Sequence, residues 1–306
     1  MGSKSSKAQH LTSTKPGVTI KLPQEIIDEI LDHLTADSDL RFLRSCALVS
    51  KSWVESCRRH LFYTILFTSK DMAKWLKAFP VPQQSPARHV RDLRFSLGGY
   101  YGAPEEFFRC TPWFTNVKKM TLLGHGGFRP LLMPLSVRLP QSVTSLTINT
   151  DTIALTQIRD VMAQLPNLDD LSLSGSVVVD RGTLPWMGAI LRGRFGGQLR
   201  LLKGHANPDV VNMLLEVPTG LHFTEVEVRG TYECLLSTVR LAESCAKTLV
   251  KLSYAVSFHG KSHPPPPPSW FSYAKMFDAD VLPWVQMVVR LLNGPSTVLY
   301  SQISKK

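Results

Sequence analysis

The sequence predicts an α/β chain in two parts, a small N-terminal three-helix module followed by an irregular solenoid of strand-plus-helix units. Three observations predict it. Residues 22 to 61 hold three short segments with apolar stripes; from Val90 a pattern apolar-x-x-apolar-x-apolar recurs at a spacing in the mid-twenties; and helical periodicity fills several intervals between copies. With 306 residues, 43% hydrophobic and 19% charged, the chain suits one large or two ordinary domains and is not a disordered protein. The longest apolar run, Val281 to Leu292, is short and broken by Pro283 and Arg290, so no membrane-spanning helix is expected.

Residues 1–20 are rich in Ser, Lys and Thr with few large apolar groups. They cannot bury enough surface to offset the entropy of ordering, and read as a flexible basic arm without a secretory signal. The first helix is expected from Leu22 to about Thr35. Pro23 suits its first position, Glu25, Asp28 and Glu29 favour the positive end of its dipole, and Ile26, Ile27, Ile30, Leu31 and Leu34 form its stripe. Asp37, Ser38 or Asp39 can cap a second helix, whose apolar set of Leu40, Leu43, Ala47 and Leu48 is widened by Phe42, Cys46 and Val49. Ser50 can cap a third, running through Trp53, Val54 and Cys57 to about His60. Three short helices make too small a core to stand comfortably alone, so a partner surface is expected.

A β-favouring run, Leu61 to Phe67, and an amphipathic stretch, Met72 to Phe79, lead into the repeats. Clear copies are Val90, Leu93, Phe95; Val117, Met120, Leu122; Val143, Leu146, Ile148; and Leu168, Leu171, Leu173. Fainter ones are Leu199, Leu202, Gly204; Phe223, Val226, Val228; and Leu249, Leu252, Tyr254. Central positions lie 27, 26, 25, 31, 24 and 26 residues apart, which predicts about seven stacked units. Return helices are expected over Ile153 to Leu165, Pro208 to Val217 and Tyr232 to Cys245. If Leu93 and Phe95 point inward, strand alternation leaves Asp92, Arg94 and Ser96 on an open face. Lys119, Thr121, Ser145, Thr147, Asp170, Ser172, Lys203, Glu225, Glu227 and Lys251 continue that face, which is polar and of mixed sign. Arg94, Lys119, Thr121, Thr147, Asp170, Ser172, Glu225 and Glu227 are its candidate substrate-binding residues. The organisation read from the chain is an arm over 1–20, a helical module over 21–66, repeats over 67–262, a polyproline spacer over 263–269, and a cap and tail over 270–306.

Leu22-Pro23-x-Glu25-Ile26, Ile30-Leu31-x-x-Leu34, Cys46-x-x-Val49-Ser50-Lys51-x-Trp53 and Leu61-Phe62 stand in the order and at the spacing of an F-box, which residues 20 to 65 resemble. The repeats resemble the degenerate leucine-rich repeats of many fungal F-box proteins, with the usual turn Asn largely missing. The resemblance implies a three-helix module docked on the Skp-type adaptor of a cullin–RING ubiquitin ligase, with the rest of the chain holding a protein substrate. It implies that Leu22, Pro23, Ile26, Ile30 and Leu31 face the adaptor and that Val49, Ser50 and Trp53 complete the surface. Trp53 and Cys46 have the alternative of holding the helices together. Substrate receptor is the leading reading; a scaffold that has an F-box and recruits no cullin is the alternative.

No enzyme chemistry is expected. Gly124-His125-Gly126-Gly127 lacks any accompanying G-x-S-x-G elbow, no phosphate-binding glycine loop follows a strand, and the nine histidines form no metal-ligand pattern, so neither cofactor nor metal is expected. The acid pairs Asp169-Asp170 and Glu105-Glu106 are adjacent in sequence and make poor catalytic pairs. A net charge of +11 raises nucleic acid as a third class, yet Arg181, Arg192, Arg194, Arg200 and Lys203 have only Trp186 and Phe195 interleaved. They read as a solvated surface, with a phosphorylated substrate as the functional alternative, and no DNA partner is expected. The five cysteines, odd in number and without C-x-x-C, read as reduced, mostly buried thiols of a cytoplasmic or nuclear protein. Met1-Gly2-x-x-x-Ser6 fits an N-myristoylation pattern at Gly2, which on its own supplies only weak membrane association. Pro264 to Pro268 reads as a stiff spacer, or else as a ligand for SH3, WW or EVH1 modules, before a closing helix over Phe277 to Leu292.

Overall fold

The computed structural model describes residues 22–36, 40–96, 110–124, 139–178, 191, 193–202, 207–230, 234–256 and 300–304. It is mixed α/β and divides into two compact units, Met1–Leu61 and Phe62–Lys306.

The first unit is helical: α1 (Gln24–Ala36), α2 (Leu40–Cys46) and α3 (Lys51–Leu61). Pro23 stands just outside α1 and not at its first position, its carbonyl accepting from the Ile27 amide. The core is Ile27, Leu31, Leu43, Cys46 and Cys57, with Leu34, Ala47, Trp53 and Leu61 packed around it. A core this small rarely supplies more than about 3–5 kcal/mol. The broad stripe expected of α2 divides: Leu43 and Cys46 turn inward, whereas Phe42, Leu48 and Val49 are exposed. The helix turns one row inward and stops at Cys46, so Phe42 lies off that row and Leu48 and Val49 follow in the turn before α3. The proposed caps Asp37, Ser38 and Asp39 lie outside the described residues.

The second unit is built on a nine-stranded sheet whose spatial order is its chain order. The strands are β1 (Thr64–Thr68), β2 (Asp92–Ser96), β3 (Lys119–Gly124), β4 (Ser145–Ala154), β5 (Asp170–Val178), β6 (Gln198–Leu202), β7 (Glu225–Gly230), β8 (Lys251–Val256) and β9 (Tyr300–Ser304). Neighbours from β1 to β8 are parallel and β9 runs antiparallel to β8. Parallel neighbours require a return segment. Among the described residues these include α4 (Ser69–Ala78), α5 (Leu155–Ala163), α6 (Pro208–Leu215) and α7 (Leu235–Ser244), with short 3-10 turns at Pro86–His89 and Thr111–Trp113. The return helices are shorter than their sequence limits; Ile153 belongs to the end of β4.

Register places two apolar rows side by side. One runs Ile65, Leu93, Met120, Leu146, Leu171, Leu199, Val226, Leu252; the other runs Phe67, Phe95, Leu122, Ile148, Leu173, Leu201, Val228, Tyr254. Apart from the partly buried Ile65, both rows are buried, and with the return segments they form one continuous core. At about 1.5–3 kcal/mol for each fully buried aliphatic side chain, these rows dominate the stability of the unit. Backbone carbonyls repeat the same arrangement between units. Tyr63 O accepts from the amides of Arg91 and Asp92, Arg91 O from Lys118 and Lys119, Lys118 O from Thr144 and Ser145, and Thr144 O from Asp169 and Asp170. Side chains stitch the same turns: Asn116 Nδ2 donates to Arg88 O at 2.8 Å, Asn167 Nδ2 to Gln141 O at 2.9 Å and Ser142 Oγ to Val117 O at 2.8 Å.

Three features differ from the sequence expectation. Phe62, Ile65 and Phe67 are a further copy of the repeat, and β1 starts the sheet, so the first unit ends at Leu61 and not at 66. The fifth copy is Leu199 and Leu201, not Leu199, Leu202 and Gly204, because Leu171 pairs with Leu199 and Leu173 with Leu201. Phe195 fills the first slot, buried against Phe223 at a ring separation of 5.8 Å. One residue more than usual then separates it from Leu199, and Phe195 takes a φ of 47° at this point. Gly197 follows because a Cβ there would collide with Asp170 Oδ1, which accepts from the Gln198 amide at 2.7 Å. Finally, Tyr300–Ser304, in the segment read from the sequence only as a tail, form a strand that pairs the otherwise open edge of β8.

Candidate functional site

Two surfaces answer to the expected sites. On the helical unit, Leu22 is 44% exposed, Val49 68%, and Pro23, Ile26 and Ser50 are exposed. Ile30 and Trp53 are half-buried, with Trp53 packed against the core. Leu31, at 0% exposure, is a core residue and has no side-chain surface to offer a partner. Sequence reasoning passed over Phe42 and Leu48 as surface residues, yet they are 48% and 88% exposed. The signal was present, since the stripe of α2 was wider than one helix face can bury. Ser50 opens α3 by accepting the Trp53 amide on its carbonyl, and its Oγ lies 2.6 Å from Ser52 Oγ. Exposed apolar side chains at α1's start, on α2 and before α3 are the sort of surface that marks a protein contact.

A part-buried polar link centred on Ser56 ties α1 to α3. Ser56, nearly inaccessible, accepts from Gln24 Nε2 at 2.7 Å and donates to Asp28 Oδ1, and Arg59 adds an ion pair with Asp28 at 3.4 Å. The hydrogen bonds from Ser56 and then Gln24, helped by Arg59, hold the Asp28 carboxyl below its ordinary value against a smaller opposing effect of burial. A depressed folded-state value contributes stability that is complete above the unfolded value, near 3.8, and is lost as pH falls through the folded one. Amide-exchange protection of α1 and α3 in the full chain is therefore expected to decline on acidification below about pH 4. Asp28→Asn should start lower and flatten that decline; the same acid response in both proteins would count against the link.

On the sheet, Arg94, Thr147, Asp170, Ser172, Glu225 and Glu227 are half-buried on the face away from the core, Lys119 is exposed, and Thr121 is buried among its neighbours. Register brings them into adjoining rows: Thr121 beside Arg94 and Thr147, Ser172 beside Thr147 and Arg200, Arg200 beside Glu227. Arg200, grouped from the sequence with a solvated basic stretch, thus stands on the open face, and Arg194 is exposed elsewhere. Gly2, Lys203, Arg181, Arg192, His125 to Gly127, the Pro264 to Pro268 run and Phe277 to Leu292 lie outside the described residues.

Of the cysteines, Cys46, Cys57, Cys110 and Cys245 are buried, Cys234 is partly so, and none of them forms a disulfide. Burial pushes the Cys110 thiol up to about 12, which leaves it an inert packing group. Among the described residues no three His, Cys, Asp or Glu side chains are placed to hold a metal ion, and no helix is long and apolar enough to cross a membrane.

Residues 19–69, which include all three helices and β1, match the family model described as F-box-like. No curated protein matches the chain. F-box domains generally bind Skp-type adaptors in SCF complexes, so the match supports an adaptor-type, protein-binding role for this part of the chain, related to ubiquitin ligases.

Proposed function

We propose that this chain is the substrate-receptor subunit of an SCF-type cullin–RING ubiquitin ligase. Its helical unit docks on the Skp-type adaptor and its sheet holds a protein substrate on the polar face. The observation that carries the reading is the exposed apolar set Leu22, Ile26, Phe42, Leu48 and Val49, lying within the segment that matches the F-box-like model. The sheet reads as a degenerate leucine-rich-repeat-like solenoid of the fungal type, supported by parallel strands in chain order and by the apolar rows. On this reading the chain performs no chemistry itself and takes no cofactor. Ubiquitin transfer belongs to its partners, and the protein works in the cytoplasm or nucleus, with membrane contact only if Gly2 is acylated.

Co-purification with a Skp-type adaptor tests it. The wild-type chain is expected to retain the adaptor, and Leu22→Ala/Pro23→Ala to lose affinity by about thirtyfold, the equivalent of about 2 kcal/mol at a contact anchor. Undiminished capture by a folded double variant would overturn the assignment of that surface. Reconstituted ubiquitylation separates a receptor, which passes ubiquitin to a bound target, from a scaffold that recruits no cullin.

A further inference from the structure

The open face of the sheet cancels its own charge unevenly, and the residue left over has a chemical meaning. On β2 the Asp92 carboxylate takes both its oxygens to the Arg94 guanidinium, at 2.6 to 3.2 Å. Lys119, its register neighbour on β3, makes no ion pair among the described residues and is exposed. Across the sheet, Glu227 is shared by Arg229 at 2.8 Å and Arg200 at 3.6 Å. Glu225 is held by Gln198 Nε2 at 3.2 Å and Lys251 at 4.0 Å. Asp170, the acid between these ends, is turned onto the Gln198 backbone amide. Asp170 keeps its charge, since an amide donor does not neutralise a carboxylate, and Asp151 on β4 is a further exposed acid. Cations nonetheless exceed acids at the two ends: Lys119 is the one charged residue of β3, and Arg200, Arg229 and Lys251 face Glu225 and Glu227 across β6–β8. Between them lies a floor of short neutral side chains, Thr121, Ser145, Thr147, Asn149 and Ser172.

We propose that this face binds an extended acidic peptide segment crossing from β3 to β6, with one carboxylate at Lys119 and a second at the Arg200–Arg229 pair. Three to four strand spacings span about 14–19 Å, and an extended chain advances about 3.3 Å per residue, so carboxylates about five residues apart match the two ends. The hydroxyls of the floor are short enough to let a backbone approach and can both donate to it and accept from it. A cationic segment of the same span would meet like charge at both ends, at Lys119 and at the Arg200–Arg229 pair. The inference rests on reading the sheet as the substrate-holding part of the chain, and it adds the chemistry of what is held.

The test is fluorescence anisotropy on the full chain, without adaptor, using labelled Gly/Ser peptides. One carries two glutamates about five residues apart, a second carries the same two glutamates adjacent, and a third carries two lysines at the wider spacing. The spaced glutamate peptide is expected to bind best. Lys119→Glu and Arg200→Glu should each weaken it by about fivefold, as loss of a partly exposed charge pair does. Lys247→Glu, an equal charge change on an exposed residue away from the strands, should leave binding unchanged. Equal affinity for the two glutamate peptides, equal loss in Lys247→Glu, or binding of none of them would overturn the proposal, the first two by showing only the general attraction of a chain with net charge +11. Because no adaptor takes part, peptide binding without adaptor capture would retain this site and remove the ligase reading, and the reverse result would do the opposite.

Discussion

Phe114→Ala is expected to cost the sheet unit about 3–5 kcal/mol, the usual range for emptying a fully buried aromatic site. Phe114 is wholly inaccessible, and its ring lies 6.0 Å from those of both Phe67 and Trp75. Phe67 also stacks on Phe95 at 6.0 Å, and Trp75 leans on Phe79 at 4.8 Å. The cluster joins β1, α4, β2 and the turn before β3, so removal of the Phe114 ring, which bridges Phe67 and Trp75, loosens the first part of the sheet together. Phe114→Leu keeps most of the volume and should cost clearly less. Guanidinium denaturation followed by near-ultraviolet circular dichroism measures both, and an unchanged midpoint for the alanine variant would mean that this end of the core does not stabilise the unit.

Leu48→Asp should behave in the opposite way, folding normally and losing the adaptor. At 88% exposure its side chain contributes almost nothing to the core, and substitution at such a site usually moves stability by no more than about 0.5 kcal/mol. A carboxylate placed in an apolar contact must be desolvated without a partner, so binding should fall by about thirtyfold or more, corresponding to at least about 2 kcal/mol. Phe42→Asp, on α2, should act alike. Matched melting curves with lost adaptor capture would support the contact surface, whereas full capture by Leu48→Asp would place the adaptor elsewhere.

The two outcomes differ because apolar character and burial are separate properties, and sequence reports only the first. Spacing alone brought out Ile27, Leu31 and Leu43 as apolar, but it could not divide them from Phe42, Leu48 and Val49. That division depends on which row α2 turns toward so small a core and on the helix ending at Cys46, before Leu48 and Val49. The family resemblance put Leu31 among the expected contact residues, although the helix carries it into the interior.

In the sheet, the repeat was legible wherever three apolar residues held the motif's spacing, as at Val117, Met120, Leu122 and Leu168, Leu171, Leu173. It was misread where the backbone changed length. Phe195 and Leu199 are one residue further apart than their counterparts, and only the paired register shows Leu201 in the place assigned to Leu202. The copy at Phe62, Ile65 and Phe67 was hidden by lying directly behind the helical module. The turn side chains were equally inconspicuous: Asn116 and Asn167 donate to carbonyls of the preceding unit, and Ser142 does the same with a hydroxyl.

Composition and periodicity by themselves determined that the chain has a small helical module and a run of strand-forming units with a polar alternate row. Those are local properties, set by side-chain type and by the 3.6- and 2-residue periods. Tertiary structure decided which apolar side chains remain outside, which strands neighbour one another, and which carboxylates on the open face pair with arginine or lysine. Such features depend on distances between residues some 25 or more positions apart, and these exist only once the strands have paired.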